Sequence, residues 1–279
     1  KKRRGREGAG QEAASQLGEV NSYLVSNMAS HAELTQTTLR NHHKSVASVV
    51  IHQKNGTLAG SGFIAREATE HSRALVMTAD HVVEFFEPAK NDKLCIRLPG
   101  LDRELECEIR HRDNFKDLAA IAVSGVPDGY PALRFSRERD LPIGTAAVLV
   151  AYYNPDKLAK TKGPILVKPG ACGGTIVGPP VRITKNIEWT ERIRHECATM
   201  SGCSGGPVIV NGHVVGVNQY GDNTSGLAAS FVTVEAVVKN WAQKDGVSSC
   251  NPYGITNYCS SFCLVLISVA RTTFFRIIA

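Results

Sequence analysis

No apolar stretch in the 279 residues approaches the roughly 20 that a membrane-spanning helix needs. The C-terminal run Phe262 to Ala270 is apolar-leaning, but Arg271 and then Arg276 interrupt it, so no membrane span is expected. The eight cysteines (Cys95, Cys107, Cys172, Cys197, Cys203, Cys250, Cys259, Cys263) include no CxxC pair and no Cys/His cluster at zinc spacing. They read as mostly free thiols, and neither a metal nor an organic cofactor is implied. A basic body is missing too. The formal charge is +6, yet Lys1, Lys2, Arg3, Arg4 and Arg6 alone contribute +5 and Arg271 and Arg276 a further +2. The remainder is about neutral. Because counterion release from phosphates drives nucleic-acid affinity, no nucleic acid is expected on the folded core.

The first 30 residues carry the charge of a secretory leader without the apolar stretch that should follow it. An intracellular or organellar setting is therefore favoured over secretion. The first methionine is Met28, so a fragment or a processed form with a lost leader stays open. With 43% hydrophobic and 21% charged residues the composition is that of a globular chain with room for one large or two modest units, which excludes disorder throughout and a collagen.

From Gln11 to about Leu39, apolar residues at three- and four-residue steps (Leu17, Val20, Leu24, Met28) predict an amphipathic helix. From Val46 the pattern changes to short β-rich runs: Val46 to Ile51, Ser61 to Ala65, Ala74 to Met77, Leu94 to Leu98, Ala119 to Val123, Ala146 to Ala151, Ile165 to Val167, Thr175 to Val177, Val181 to Thr184, Val208 to Val210, Val214 to Asn218 and Leu227 to Val232. Turn residues punctuate them, and no helices alternate with them. An all-β barrel or sandwich follows, and a parallel βα sheet does not. Gly125 to Pro142 reads as a connection between two β units. Thr233 is the expected N-cap of a closing helix that buries Val234, Val237, Val238 and Trp241 and ends before Gly246. The expected organisation is a basic tail and helical extension over 1–44, a β unit over 45–126, a second with the closing helix over 127–244, and a loose tail over 245–279.

The chemistry lies in Ser201-Gly202-Cys203-Ser204-Gly205-Gly206-Pro207. A serine hydroxyl is a weak nucleophile and needs a base, and the carbonyl it attacks needs N–H donors where negative charge develops. Glycine at 202 lets the amides of Gly202 and Ser204 point the same way into such a hole, and Gly205 and Gly206 leave space for substrate backbone. An imidazole is supplied by Val76-Met77-Thr78-Ala79-Asp80-His81-Val82-Val83. The anion that holds its tautomer is supplied by Lys116-Asp117-Leu118-Ala119, with Asp113 and Asp80 as weaker candidates. The other eight histidines (His31, His42, His43, His52, His71, His111, His195, His213) lack such motifs and read as surface or structural.

Taken with Gly60-Ser61-Gly62-Phe63-Ile64 and Val214-Val215-Gly216-Val217-Asn218, these motifs resemble a trypsin-like (chymotrypsin-fold) serine peptidase, closest to the HtrA/Deg peptidase core, over about residues 45 to 244. The resemblance implies two antiparallel six-stranded β-barrels, a C-terminal helix and a cleft between the barrels. It also implies a Ser-His-Asp triad of Ser204, His81 and Asp117, an oxyanion hole at Gly202 and Ser204, and a protein or peptide substrate. Cys203 stands where that subgroup has Asn, no PDZ-like domain follows residue 244, and Val82 replaces the cysteine that flanks the histidine in secreted relatives.

Viral relatives of the same fold use a cysteine nucleophile, but here the double glycine follows Ser204, which selects the serine over Cys203. By the resemblance, the pocket for the residue before the cut is walled by Ala198, Thr199 and Met200 and by Asn218, Gln219 and Tyr220, with Leu227 and Ala228 near the floor. Neither wall carries an acid and residue 218 is not His, so the expected preference is a small or medium apolar side chain. Other readings are a catalytically inactive peptidase-fold binding module and a chaperone-like holdase. Oligomeric state is not indicated.

Overall fold

The computed structural model describes residues 30–70, 72–153 and 168–245. Residues 30–42 form a helix, α1, so the predicted extension runs three residues past Leu39. Its expected face from Leu17 to Met28, the run Ile165 to Val167 and the tail beyond residue 245 lie outside the described residues.

Six strands follow: β1 (Val46–Gln53), β2 (Gly56–Arg66), β3 (Ala74–Thr78), β4 (Lys93–Arg97), β5 (Leu105–Asp113) and β6 (Leu118–Val123). They pair antiparallel in the order β1-β2-β3-β6-β5-β4 and close into a barrel. Period-two alternation explains what fills it, because one face of each strand points inward. Ala47, Val49 and Ile51 of β1, Ile64 of β2, Val76 of β3, Ile96 of β4 and Ile121 of β6 form the interior. A single helical turn, α2 (Asp80–Val83), follows β3.

The second unit comprises β7 (Ala146–Ala151), β8 (Gly170–Thr175), β9 (Val181–Lys185), β10 (Glu188–His195), β11 (Pro207–Val210), β12 (His213–Gly221) and β13 (Gly226–Ser230). The strand order is β8-β7-β11-β12-β13-β10-β9. Its ends meet beyond β8, where Ile176 bridges His195. Glu196 N donates there to Thr175 O at 2.9 Å and Val177 N to Arg194 O at 3.1 Å. Strand β9 is therefore one arm of a hairpin extending from β10, exposed along its whole length.

The connection between the units is itself tied to both. Leu133 N donates to Ile64 O, and Val214 N and Ser136 N exchange bonds with Arg134 O and Val214 O, each at 2.8 Å. Phe63, Leu75 and Met77 of the first unit and Phe135, Val150, Ile209 and Val217 beyond it form one buried cluster. That cluster continues under the closing helix α3 (Phe231–Lys244), which contributes Val234, Val237, Val238 and Trp241. The cap of α3 is Ser230, not Thr233: the Ser230 hydroxyl accepts from Thr233 N at 3.3 Å. Thr233 is one turn inside, where its own hydroxyl donates to Glu191 O at 2.9 Å. The five cysteines among the described residues are free thiols, and no helix among those residues is long and apolar enough to cross a membrane.

Candidate active site

The histidine is delivered by α2, one residue into the turn that ends β3. Close packing holds that turn against the first barrel: a Cβ on Gly60 would come within 2.6 Å of Val82 Cγ1. His81 Nδ1 donates to Asp117 Oδ2 at 2.9 Å and lies 3.0 Å from Oδ1, and the His81 amide donates to Oδ1 at 2.9 Å. The carboxylate thus engages both the ring and the backbone of one residue, which fixes the tautomer with Nε2 unprotonated. Asp117 is almost fully buried. It sits in the left-handed region, φ 53°, which costs a non-glycine residue about 1–3 kcal/mol. The weaker candidates are engaged elsewhere. Asp80 takes Arg112 on both oxygens, at 2.5 and 3.0 Å, and Asp113 accepts from Lys116 N and Nζ at 2.9 and 3.1 Å.

Ser204 lies across a cleft of about 670 Å³ that His81 and Val82 border on one side and Thr199 to Ser204 and Asn218 to Gly221 on the other. Its Oγ donates to Gln219 O at 3.2 Å and makes no hydrogen bond to His81. The turn around it is built by backbone approach across the units. Ser61 N donates to Ser204 O at 2.8 Å. Ser61 Oγ accepts from Tyr152 N at 2.8 Å and donates to Gly202 O at 2.7 Å. Gly205, at φ 84°, has no room for a side chain: a Cβ would lie 2.1 Å from Ser61 O. Near Gly206 the same test meets Val150 O and Ala151 Cβ at 2.9 Å. The space these two glycines leave is therefore taken by the protein's own backbone and side chains, which corrects the expectation that substrate would occupy it. Gly202 has φ 95°, and among the described residues its N–H and that of Ser204 meet no acceptor.

Cys203 is buried, and burial pushes its thiol up, away from the thiolate a nucleophile needs. Its Sγ donates to Met200 O at 2.7 Å and accepts from Met200 N at 3.0 Å, closing the turn internally.

Of the six expected wall residues, Thr199, Met200, Asn218, Gln219 and Tyr220 border the cleft. Ala198 does not; it is half-buried behind it, its N–H donating to Cys172 Sγ at 3.2 Å. The Tyr220 ring stacks on His81 with centroids 5.4 Å apart. Gln219 contributes its backbone to the cleft, but its side chain leaves it: Nε2 donates to Lys116 O and Asp117 O at 2.7 and 2.9 Å. Thr199 is tied to the opposite wall, its hydroxyl donating to Asp222 O at 2.7 Å and Ser225 O at 3.1 Å. One residue to which the sequence assigned no part in the site stands close behind, held to the wall residue Asn218. His195, fully buried, donates from Nε2 to Asn218 Oδ1 at 3.1 Å, and Asn218 Nδ2 donates to Cys203 O at 3.3 Å.

Among the described residues, His52, Cys95 and Glu104 alone bring three potential metal ligands together, within 4.8 Å. The Glu104 carboxylate is already taken by His52 Nε2 at 2.8 Å and by Arg97 Nε and Nη2 at 2.9 and 2.7 Å. Burial pushes its pKa up, yet these bonds hold it down to about 2. A guanidinium on the carboxylate argues against a metal ion there.

The sequence model of the trypsin-like peptidase domain matches residues 60–217, a span covering both His81 and Ser204, and the chain belongs to that family. It is a serine-type hydrolase, and as a peptidase it acts on protein substrates. No curated protein matches at a significant level. Among solved structures, the Rv3671c protease of M. tuberculosis in its active form is 22% identical, with a TM-score of 0.57 over 78% of this chain and 88% of that one. The inactive form of a serine-to-alanine mutant of the same protein is 22% identical, with a TM-score of 0.54 over 76% of this chain and 91% of that one. At this identity the likeness is one of fold.

Proposed function

We propose that this protein is a serine endopeptidase whose nucleophile is Ser204, with His81 as general base and then acid and Asp117 as its partner. The carrying observation is the Asp117 carboxylate on His81 Nδ1, opposite a serine flanked by two unspent amides. Ser204 Oγ turns about its χ1 from the Gln219 carbonyl to His81 Nε2 and attacks the substrate carbonyl as the imidazole takes its proton. Asp117 stabilises the imidazolium without accepting the proton. The N–H groups of Gly202 and Ser204 receive the oxyanion, a contribution on the order of 10²-fold or more. His81 then protonates the leaving amine, and water repeats the sequence on the acyl-enzyme.

The substrate side chain before the cut is small or medium and apolar. Thr199 bonds directly to Asp222 and Ser225. A Cβ on Gly221 would sit 2.1 Å from Thr199 Oγ1, and one on Gly226 2.2 Å from His195 Cε1. The two walls therefore meet just below the mouth and leave a shallow pocket. The Asp222 carboxylate does not border the cleft; its Oδ1 accepts from Thr224 and Ser225.

One observation favours a second reading, a peptidase-fold binding module: the Ser204 hydroxyl bonds to Gln219 rather than to His81. Hydrolysis of a fluorogenic peptide library by wild type, Ser204→Ala, His81→Ala and Asp117→Asn separates the two. The peptidase reading expects turnover in wild type and a loss on the order of 10⁴-fold in each variant. Turnover absent from folded wild type would favour the module.

A further inference from the structure

Gln219 stands on β12 with 1% of its surface exposed and touches both ends of the proposed triad. Its carbonyl accepts the Ser204 hydroxyl at 3.2 Å. Its carboxamide nitrogen donates to the carbonyls of Lys116 and Asp117, two successive residues 102 to 103 positions away in the chain. The geometry points to Gln219 as a positioning residue that clamps the Asp117 turn from the substrate-side strand, a role that rests on the peptidase reading of the site.

Three features carry this. Asp117 has a left-handed backbone, a conformation that persists only where its surroundings hold it. Its remaining backbone support is one turn bond from Asp117 N to Asn114 O at 3.3 Å. The two Gln219 bonds, at 2.7 and 2.9 Å, are shorter than that bond and are the ones that cross from the second unit to the first. Finally, Gln219 Oε1 is buried with no hydrogen-bond partner. A side chain that merely filled space would do better without that oxygen. The donor end explains why an amide is there. Because Asp117 offers its oxygens to His81 within hydrogen-bond distance, a small drift of the turn reaches the imidazole directly.

The test uses Gln219→Met, which keeps the length and removes the donor, and Gln219→Glu, which keeps the shape and sets an acceptor against two carbonyls. Each is compared with wild type for kcat, KM, the pH dependence of kcat and the low-field proton NMR signal of His81 Nδ1–H. The expected result is a kcat lower by about 10- to 100-fold with KM within about threefold, the scale of loss that slight misplacement of a reacting group produces. The low-field signal should move or broaden, with Glu worse than Met. Unchanged kcat and an unchanged signal would overturn the assignment, as would a rise in KM alone, which would make Gln219 only a pocket wall. If Gln219→Met does not fold, Gln219→Ser is read by the same criteria. The proton signal is observed on resting protein, so it judges the clamp even if wild type hydrolyses nothing. Absent turnover with an intact, Gln219-dependent signal would count against the peptidase reading alone.

Discussion

His195 and Asn218, each no more than 1% exposed, share a hydrogen bond of 3.1 Å behind the nucleophile turn. Asn218 passes that constraint on to the Cys203 carbonyl. The Cys203 carbonyl and the Ser204 N–H belong to one planar peptide, so anchoring the oxygen sets where the amide points.

Burial lowers the pKa of His195 below its ordinary 6.5, with the bond to Asn218 opposing it. The unfolded chain therefore binds protons that the folded chain refuses, and stability contributed by neutral His195 falls as pH drops below about 6.5. Melting temperature should decline between pH 7.5 and 5.5, and His195→Gln should flatten part of that decline. An identical pH slope in the variant would contradict this.

Ser61→Ala removes a buried hydroxyl that accepts from Tyr152 N and donates to the O of the half-buried Gly202. Leaving that donor and acceptor unmet should cost about 2 kcal/mol, measurable by urea unfolding. It should also free the Gly202 peptide and lower kcat at least tenfold.

Thr199→Ala removes the hydroxyl bonds to Asp222 O and Ser225 O, leaves the backbone bond from Thr199 N to Asp222 O, and makes room between the two walls. The ratio of kcat/KM for Leu over Ala before the cut should rise about tenfold, within the range that one or two methylenes produce. A peptide series varied only at that position measures it.

Much of this was legible in the sequence, and the parts that were not share a cause. Strands with apolar runs, such as β3 and β6, stand out because both their faces are buried. Strands β5 (LECEIRHRD) and β10 (EWTERIRH) were missed because one face meets solvent and carries charge. Strand β8 (GACGGT) was missed because glycines hide it. In β5, Arg110 and His111 reach Asp245 at the end of α3, at 3.2 and 3.0 Å, so its charges serve a contact 134 to 135 residues away that no local pattern records. The same holds at the site. His81, Asp117 and Ser204 announce themselves by short motifs, since chemistry constrains their neighbours. The Gln219 amide and the Ser61 hydroxyl act through contacts that exist only once the two units are packed, and His195 through one that exists only once the second sheet has formed.

The most direct measurement is the intact mass of the protein after incubation with a fluorophosphonate, followed by mapping of the adduct. A single adduct is expected on the peptide containing Ser204, absent in Ser204→Ala and slowed at least 10³-fold in His81→Ala. Folded wild-type protein that remains unmodified, or an adduct on any residue other than Ser204, would contradict it.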